Sequence, residues 1–227
     1  MDGGPTVTES ETVETAAQER RGSPDRVVAF TDGVFAIVIT ILVLEITVPP
    51  ELSDQSLREV IEEVGPSLTA WVISFSITGM YWVWHRDLFG QIRRVNRDVV
   101  WLNLLFLLPA CLIPFGSSVL GEYHDEAIAL HVYGGVLIAT SLMRVLLYSY
   151  VMRRPELLWQ PPSVRNRRIG LYLAAAPIAV YVVAMLVASP APTLSLVLYF
   201  AAPLMYFALV TILRSRSTTR SEADDYS

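Results

Sequence analysis

Six apolar runs, each close to the roughly 20 residues that carry a helix across a bilayer, constrain this chain more than any other feature. They fall at about 27–48, 67–86, 98–120, 127–151, 168–188 and 193–213. Charged residues make up only 17% of the 227, against about a quarter in soluble domains, and they gather between the runs. In hydrocarbon every backbone N–H and C=O must find a partner inside the protein, which helices achieve segment by segment. The expected fold class is therefore an all-α membrane protein with six transmembrane helices. One membrane domain, 26–213, is expected between disordered cytoplasmic tails at 1–25 and 214–227, both of them polar. The first 25 residues also lack the basic start and apolar middle of a signal peptide.

The basic residues set the orientation. All 17 are arginine. Arg20, Arg21 and Arg26 precede the first run, and Arg86, Arg93, Arg94 and Arg97 flank the second connection. Arg153, Arg154, Arg165, Arg167 and Arg168 surround the fourth, and Arg214, Arg216 and Arg220 follow the last run. The opposite connections hold only Arg58. The positive-inside bias puts both termini in the cytoplasm. Arg144 lies inside the fifth segment's predecessor, the run at 127–151, about two turns from its cytoplasmic end. Snorkelling of its long stem is the expected account, with a gating role as the alternative.

The outer connections are acidic. Glu45 ends the first run, Glu51 and Asp54 follow it, and Glu122, Asp125 and Glu126 crowd a later turn. Between them Leu57, Val60, Ile61 and Val64 recur at helical spacing behind a Ser56-x-x-Glu59 capping pattern. A short amphipathic helix is expected there, either resting on the membrane interface or framing an acidic vestibule that concentrates cations.

Several function classes are excluded. A net charge of −5 argues against nucleic acid as a partner. Cys111 is the only cysteine, so no intrachain disulfide or cysteine-based metal site can form; within its apolar run it is expected to be a small buried core residue. No His-Glu-x-x-His spacing, paired intramembrane acids or Ser-His arrangement supports an enzyme, and no cofactor motif is present.

The first run alone carries chemistry. It reads Arg26-Val-Val-Ala-Phe30-Thr31-Asp32-Gly33-Val-Phe35-Ala-Ile37-Val-Ile-Thr40-Ile41-Leu-Val-Leu44-Glu45. An acid one to two turns inside an apolar run is costly unless paired or hydrated, and marks a functional site by default. The alternative is a shallow Asp32 that caps the helix start. Arg-x-x-x-Phe-Thr-Asp followed by Gly-Val-Phe-Ala-Ile resembles the signature of the transmembrane protein 175 family of potassium channels. Thr31 stands where that pattern has serine, which keeps the hydroxyl and adds a methyl group. A Trp82-x-x-His85 segment and Asn103 extend the resemblance.

The resemblance implies a homotetramer with a central pore lined by the first helix, without the carbonyl filter of ordinary potassium channels. It implies that Ile37, Ile41 and Leu44 form apolar rings, with Thr40 adding a hydroxyl layer. It implies potassium ions, further copies of the chain and the lipid bilayer as partners, and a bacterial-type plasma (inner) membrane as the location. No metal is expected beyond potassium passing through the pore. At about 100° per residue, Ile37, Ile41, Leu44 and Thr40 share one narrow stripe and Asp32 falls roughly opposite. Ile39, Val43 and Ile46 form an equally apolar face, so geometry alone does not select the stripe. Asp32 is expected to hold the helix against its neighbours through Arg26, Thr31, His85 or Asn103. A secondary transporter or proton-coupled carrier is the rival, although the last three runs hold no echo of the Phe30-Thr31-Asp32 segment.

Overall fold

The computed structural model describes residues 23–46 and 56–224, with side chains to residue 211. Seven α-helices make up the described chain. They are α1 (Asp25–Leu44), α2 (Leu57–Phe89), α3 (Arg97–Ala110), α4 (Ile113–Glu122), α5 (Ala127–Met152), α6 (Val164–Val187) and α7 (Pro192–Asp224), with a 3₁₀ turn at Pro155–Leu157. Five stretches are long and apolar enough to cross a membrane: α1, the α3–α4 pair over Arg97–Glu122, α5, α6 and Pro192–Thr211 of α7. The chain is a multi-pass, all-α membrane protein.

The third run is one span built from two helices. Pro109 closes α3 and Pro114 opens α4. Pro114 has no N–H for the Ala110 carbonyl but suits a first turn, so the axis breaks at Cys111 and Leu112.

α2 differs from the expectation of a separate amphipathic helix followed by a span. The two are one 33-residue helix that runs through Pro66 without interruption, about 50 Å long at 1.5 Å per residue. Its start is the expected capping box: the Ser56 amide and hydroxyl both donate to the Glu59 carboxylate at 2.8 Å. Those two bonds, the hydroxyl's above all, hold the Glu59 carboxyl below its ordinary range. The chain continues helical at its other end too, to Asp224, where a disordered tail is expected from 214. That stretch holds neither proline nor glycine.

α5 packs on α3, α4, α6 and α7, and α2 packs on α1, α4 and α7. The buried face of α2 alternates polar and apolar groups, and each polar group has a use. Ser74 bonds the Tyr133 hydroxyl at 2.9 Å, and the Tyr81 hydroxyl lies 2.9 Å from Ser141 and donates to Leu137 O at 3.1 Å. These bonds fix α2 to α5. Tyr199 of α7 reaches Leu130 O at 2.8 Å. Helix association in lipid has little hydrophobic drive, so close packing and such bonds carry it.

Gly121 shows how close that packing is. A Cβ there would lie 2.9 Å from the Ser67 Cα and Oγ, and backbone cannot swing aside. Gly121→Ala is expected to lower stability by about 1–3 kcal/mol, read by thermal unfolding in detergent; unchanged unfolding would show that α2 and α4 separate freely.

Snorkelling does not describe Arg144. Its residue is 0% exposed, wrapped by α2 and α6. The guanidinium carbon sits 5.5 Å from the Tyr81 ring centre and 5.3 Å from that of Trp84. Nη2 donates to Ala174 O and lies 3.5 Å from Leu173 O. Pro177 explains the second acceptor: it has no N–H to offer the carbonyl four residues earlier, which is that of Leu173. The arginine goes inward because aromatic faces and a proline-freed carbonyl await it there.

Candidate functional site

α1 is strongly apolar yet buries only Thr31, Phe35, Val38 and Leu42. These recur at four, three and four residues, the spacing of one helical face. Phe35 meets Phe106 of α3 at 6.0 Å, and Phe106 also touches the rings of Tyr81 and Trp84. This aromatic knot seats α1 against α2 and α3.

Beside it lies a buried polar chain. The Asn103 amide donates to Thr31 Oγ1 at 2.8 Å, and His85 Nε2 lies 2.9 Å from Asn103 Oδ1. With the amide so oriented, His85 carries its proton on Nε2 and leaves Nδ1 bare, in keeping with the absence of a partner there. The ring stacks on Phe89 at 4.2 Å and parallel to Phe106 at 6.2 Å. Thr31, His85 and Asn103 are all within 1% of complete burial. Asn103→Leu would strand the threonine oxygen and the histidine N–H together. We expect a loss of about 3 kcal/mol in unfolding experiments; a variant as stable as the native chain would show that the chain of bonds holds nothing.

Asp32 takes its bond from elsewhere than expected. Its Oδ1 accepts from Trp82 Nε1 at 2.8 Å, and the Arg86 guanidinium lies 5.8 Å from the same indole. Thr31 is turned about 100° from Asp32 on the helix, so His85 and Asn103 meet the threonine while the acid points along the flank. Trp82 and His85 are three residues apart and share a helix face, which is the signal that could have paired them with neighbouring positions of α1. Arg26 is exposed and Phe30 is 54% exposed; neither joins this group.

The other side of α1 is uncovered. Ile37 is 60%, Ile41 38% and Leu44 72% exposed. On the helix wheel this stripe lies about 140° from the buried face. Val43 is also exposed, whereas Ile39 and Ile46 are half-buried. The Thr40 hydroxyl donates to Ala36 O at 3.0 Å and Ile37 O at 2.9 Å. Its proton is thus held by the helix and its lone pairs face outward. A groove of about 420 Å³ runs between α1 and the α3–α4 break, lined by Ile37, Val38, Ile41, Glu45, Cys111 and Phe115 among others. Cys111 is exposed, not the buried core residue its apolar run suggests. Glu45 is exposed at the end of α1, and Glu51 and Asp54 lie outside the described residues. Among the described residues no group of histidines, cysteines and acids could hold a metal ion.

A bundle of apolar helices tied by internal polar bonds, with apolar side chains exposed along each of them, is the architecture of a multi-pass membrane protein. The comparisons specify which. Residues 26–114 match the family described as endosomal/lysosomal potassium channel TMEM175. A potassium channel of Streptomyces collinus is 37% identical over 158 residues, covering 66% of this chain and 76% of the relative. A potassium channel of Chamaesiphon minutus is 34% identical over 160 residues, covering 65% and 74%. The crystal structure of a lysosomal potassium-selective channel TMEM175 homolog from Chamaesiphon minutus superposes with a TM-score of 0.64 at 27% identity, covering 81% of this chain and 96% of that one. The chain belongs to the TMEM175 family. Membership places it among transport proteins and not among enzymes.

Proposed function

We propose that the chain is one subunit of a potassium-selective channel in which four copies set α1 around a central pore. The observation that carries this reading is the bare stripe of Ile37, Thr40, Ile41 and Leu44, on a helix whose other face is locked down by Thr31 and Phe35. Lipid or further copies of the chain can cover such an apolar face, and this reading takes a closed ring of copies. The potassium-channel names of the bacterial relatives support the choice of ion.

In this reading α2 is the sixth span, its charged first turns standing outside the hydrocarbon, and both termini are cytoplasmic. Bulky side chains at Ile37, Ile41 and Leu44 narrow the pore until an ion must shed water. Potassium gives up its water at lower cost than the smaller sodium, so the barrier favours potassium. The Thr40 oxygens, with their protons already engaged, offer acceptors to a partly dehydrated cation. No carbonyl filter is needed. Glu45, with Glu51 and Asp54, would raise the local cation concentration at the outer mouth.

The test is passive flux in proteoliposomes under a potassium gradient, repeated with sodium. Potassium flux well above sodium flux is expected. No passive flux of either ion would overturn the channel reading and leave a coupled carrier.

A further inference from the structure

The end of the bundle that carries the arginines is more organised than a charge bias requires. The α2–α3 and α5–α6 connections are joined: Ile92 and Leu158 form an antiparallel bridge. The amides of Arg93 and Arg94 donate to Leu157 O at 2.7 and 3.3 Å, and the Trp159 amide donates to Gln91 O at 3.0 Å. Ile92, Leu157 and Leu158 are buried beneath this seam. The seam leaves Arg93, Arg94 and Arg154 on its outer side, all exposed. Between them Trp159 is 66% exposed, with the Arg93 guanidinium 5.7 Å from its ring centre.

Two features show that this surface lacks its counter-charge. Residues 23–168 place ten arginines at this end, against the carboxylates of Asp25, Asp32, Asp87, Asp98 and Glu156. At least four of those acids have partners of their own: Asp25 accepts from the Ser23 hydroxyl, Asp32 from Trp82 and Asp98 from Tyr150 at 2.6 Å, and Glu156 lies 3.7 Å from Arg154. Second, Arg165, Arg167 and Arg168 occupy the first turns of α6, which contain no acid. A helix N-terminus is the positive end of the dipole and disfavours cations. Three arginines there are an electrostatic cost that an external anion would offset.

We propose that the seam is a docking platform for anionic phospholipid headgroups, with Arg93 and Arg94 holding the phosphate and Trp159 seated at the headgroup end of the acyl chains. Arginine suits phosphate because its planar fork bonds two oxygens at once. An exposed tryptophan beside it fits the boundary between headgroup and hydrocarbon, where one side of the indole is wet and the other apolar. The surface lies directly beyond the spans, well within the distance over which a charged leaflet attracts arginine.

The inference is independent of ion conduction, and so is its test. The full chain is reconstituted in phosphatidylcholine vesicles containing a minor fraction of acyl-brominated phosphatidylglycerol or, in parallel, acyl-brominated phosphatidylcholine. The difference in tryptophan quenching between the native chain and Trp159→Phe isolates the signal of Trp159. Brominated phosphatidylglycerol is expected to quench that signal several-fold more than brominated phosphatidylcholine. The preference should vanish in Arg93→Gln/Arg94→Gln, whose seam bonds come from backbone and whose unfolding temperature should stay native. Equal quenching by the two lipids would overturn the proposal. A preference abolished by inorganic phosphate would also overturn it, showing a site for the free anion.

Discussion

Replacing Ile37 with asparagine is expected to bring potassium and sodium flux close to equality in proteoliposomes, with total cation flux raised. Ile37 is 60% exposed and stands outside the core that seats α1, so the subunit should fold normally. In the proposed pore a carboxamide supplies oxygen and N–H partners where the isoleucine supplies none, so an ion would surrender less water there. Because each ~1.4 kcal/mol of barrier is a factor of about ten in rate, a modest change in dehydration cost is enough to erase discrimination. Val43→Asn is the control. Val43 is similarly apolar and 49% exposed, yet it lies roughly 120° around the helix from Ile37. It should keep potassium preference. Loss of selectivity in the Val43 variant, with retention in the Ile37 variant, would place the pore on the other face of α1.

Arg144→Glu is expected to cost about 3–5 kcal/mol of stability, enough to prevent recovery of folded protein. The reversed charge would face Ala174 O and Leu173 O, both acceptors, and the negative faces of Tyr81 and Trp84. Arg144→Met should be far milder. It fills similar volume with a flexible apolar chain and removes a buried cation that has no carboxylate beside it; Nε and Nη1 have no partner as it is. Unfolding in detergent, followed by helical circular dichroism, distinguishes the two. A charge-reversed protein as stable as the native one would mean that the guanidinium is hydrated and not enclosed.

The candidate stripe and the helix cap can be located along the chain because the relevant signals are local. The run from Arg26 to Glu45 carries its own stripe, and helix periodicity alone separates Ile37, Ile41 and Leu44 from Asp32. The Ser56–Glu59 cap was legible for the same reason, since both partners lie within one turn. Trp82 as the donor to Asp32 was not. Fifty residues separate them in sequence, and a tryptophan near a span end reads as an interfacial anchor before it reads as a hydrogen-bond donor. The inward course of Arg144 needed Pro177 to be placed opposite it, on another helix. Periodicity likewise could not say that Cys111 lies exposed, because the break between α3 and α4 turns its side chain out of the packed face.

Composition and spacing by themselves determined that this chain is helical, crosses a membrane several times and concentrates arginine at one end of its bundle. Those follow from solvation: hydrocarbon admits only satisfied backbone, and charge cannot follow it in. Which face of α1 is bare was decided only by the tertiary structure. Two apolar faces of that helix are equivalent to water and lipid alike, and only the neighbours that cover Phe35, Val38 and Leu42 distinguish them. The joined connections around Ile92 and Leu158 were decided there too, because a backbone seam between distant loops leaves no pattern in the residues that form it.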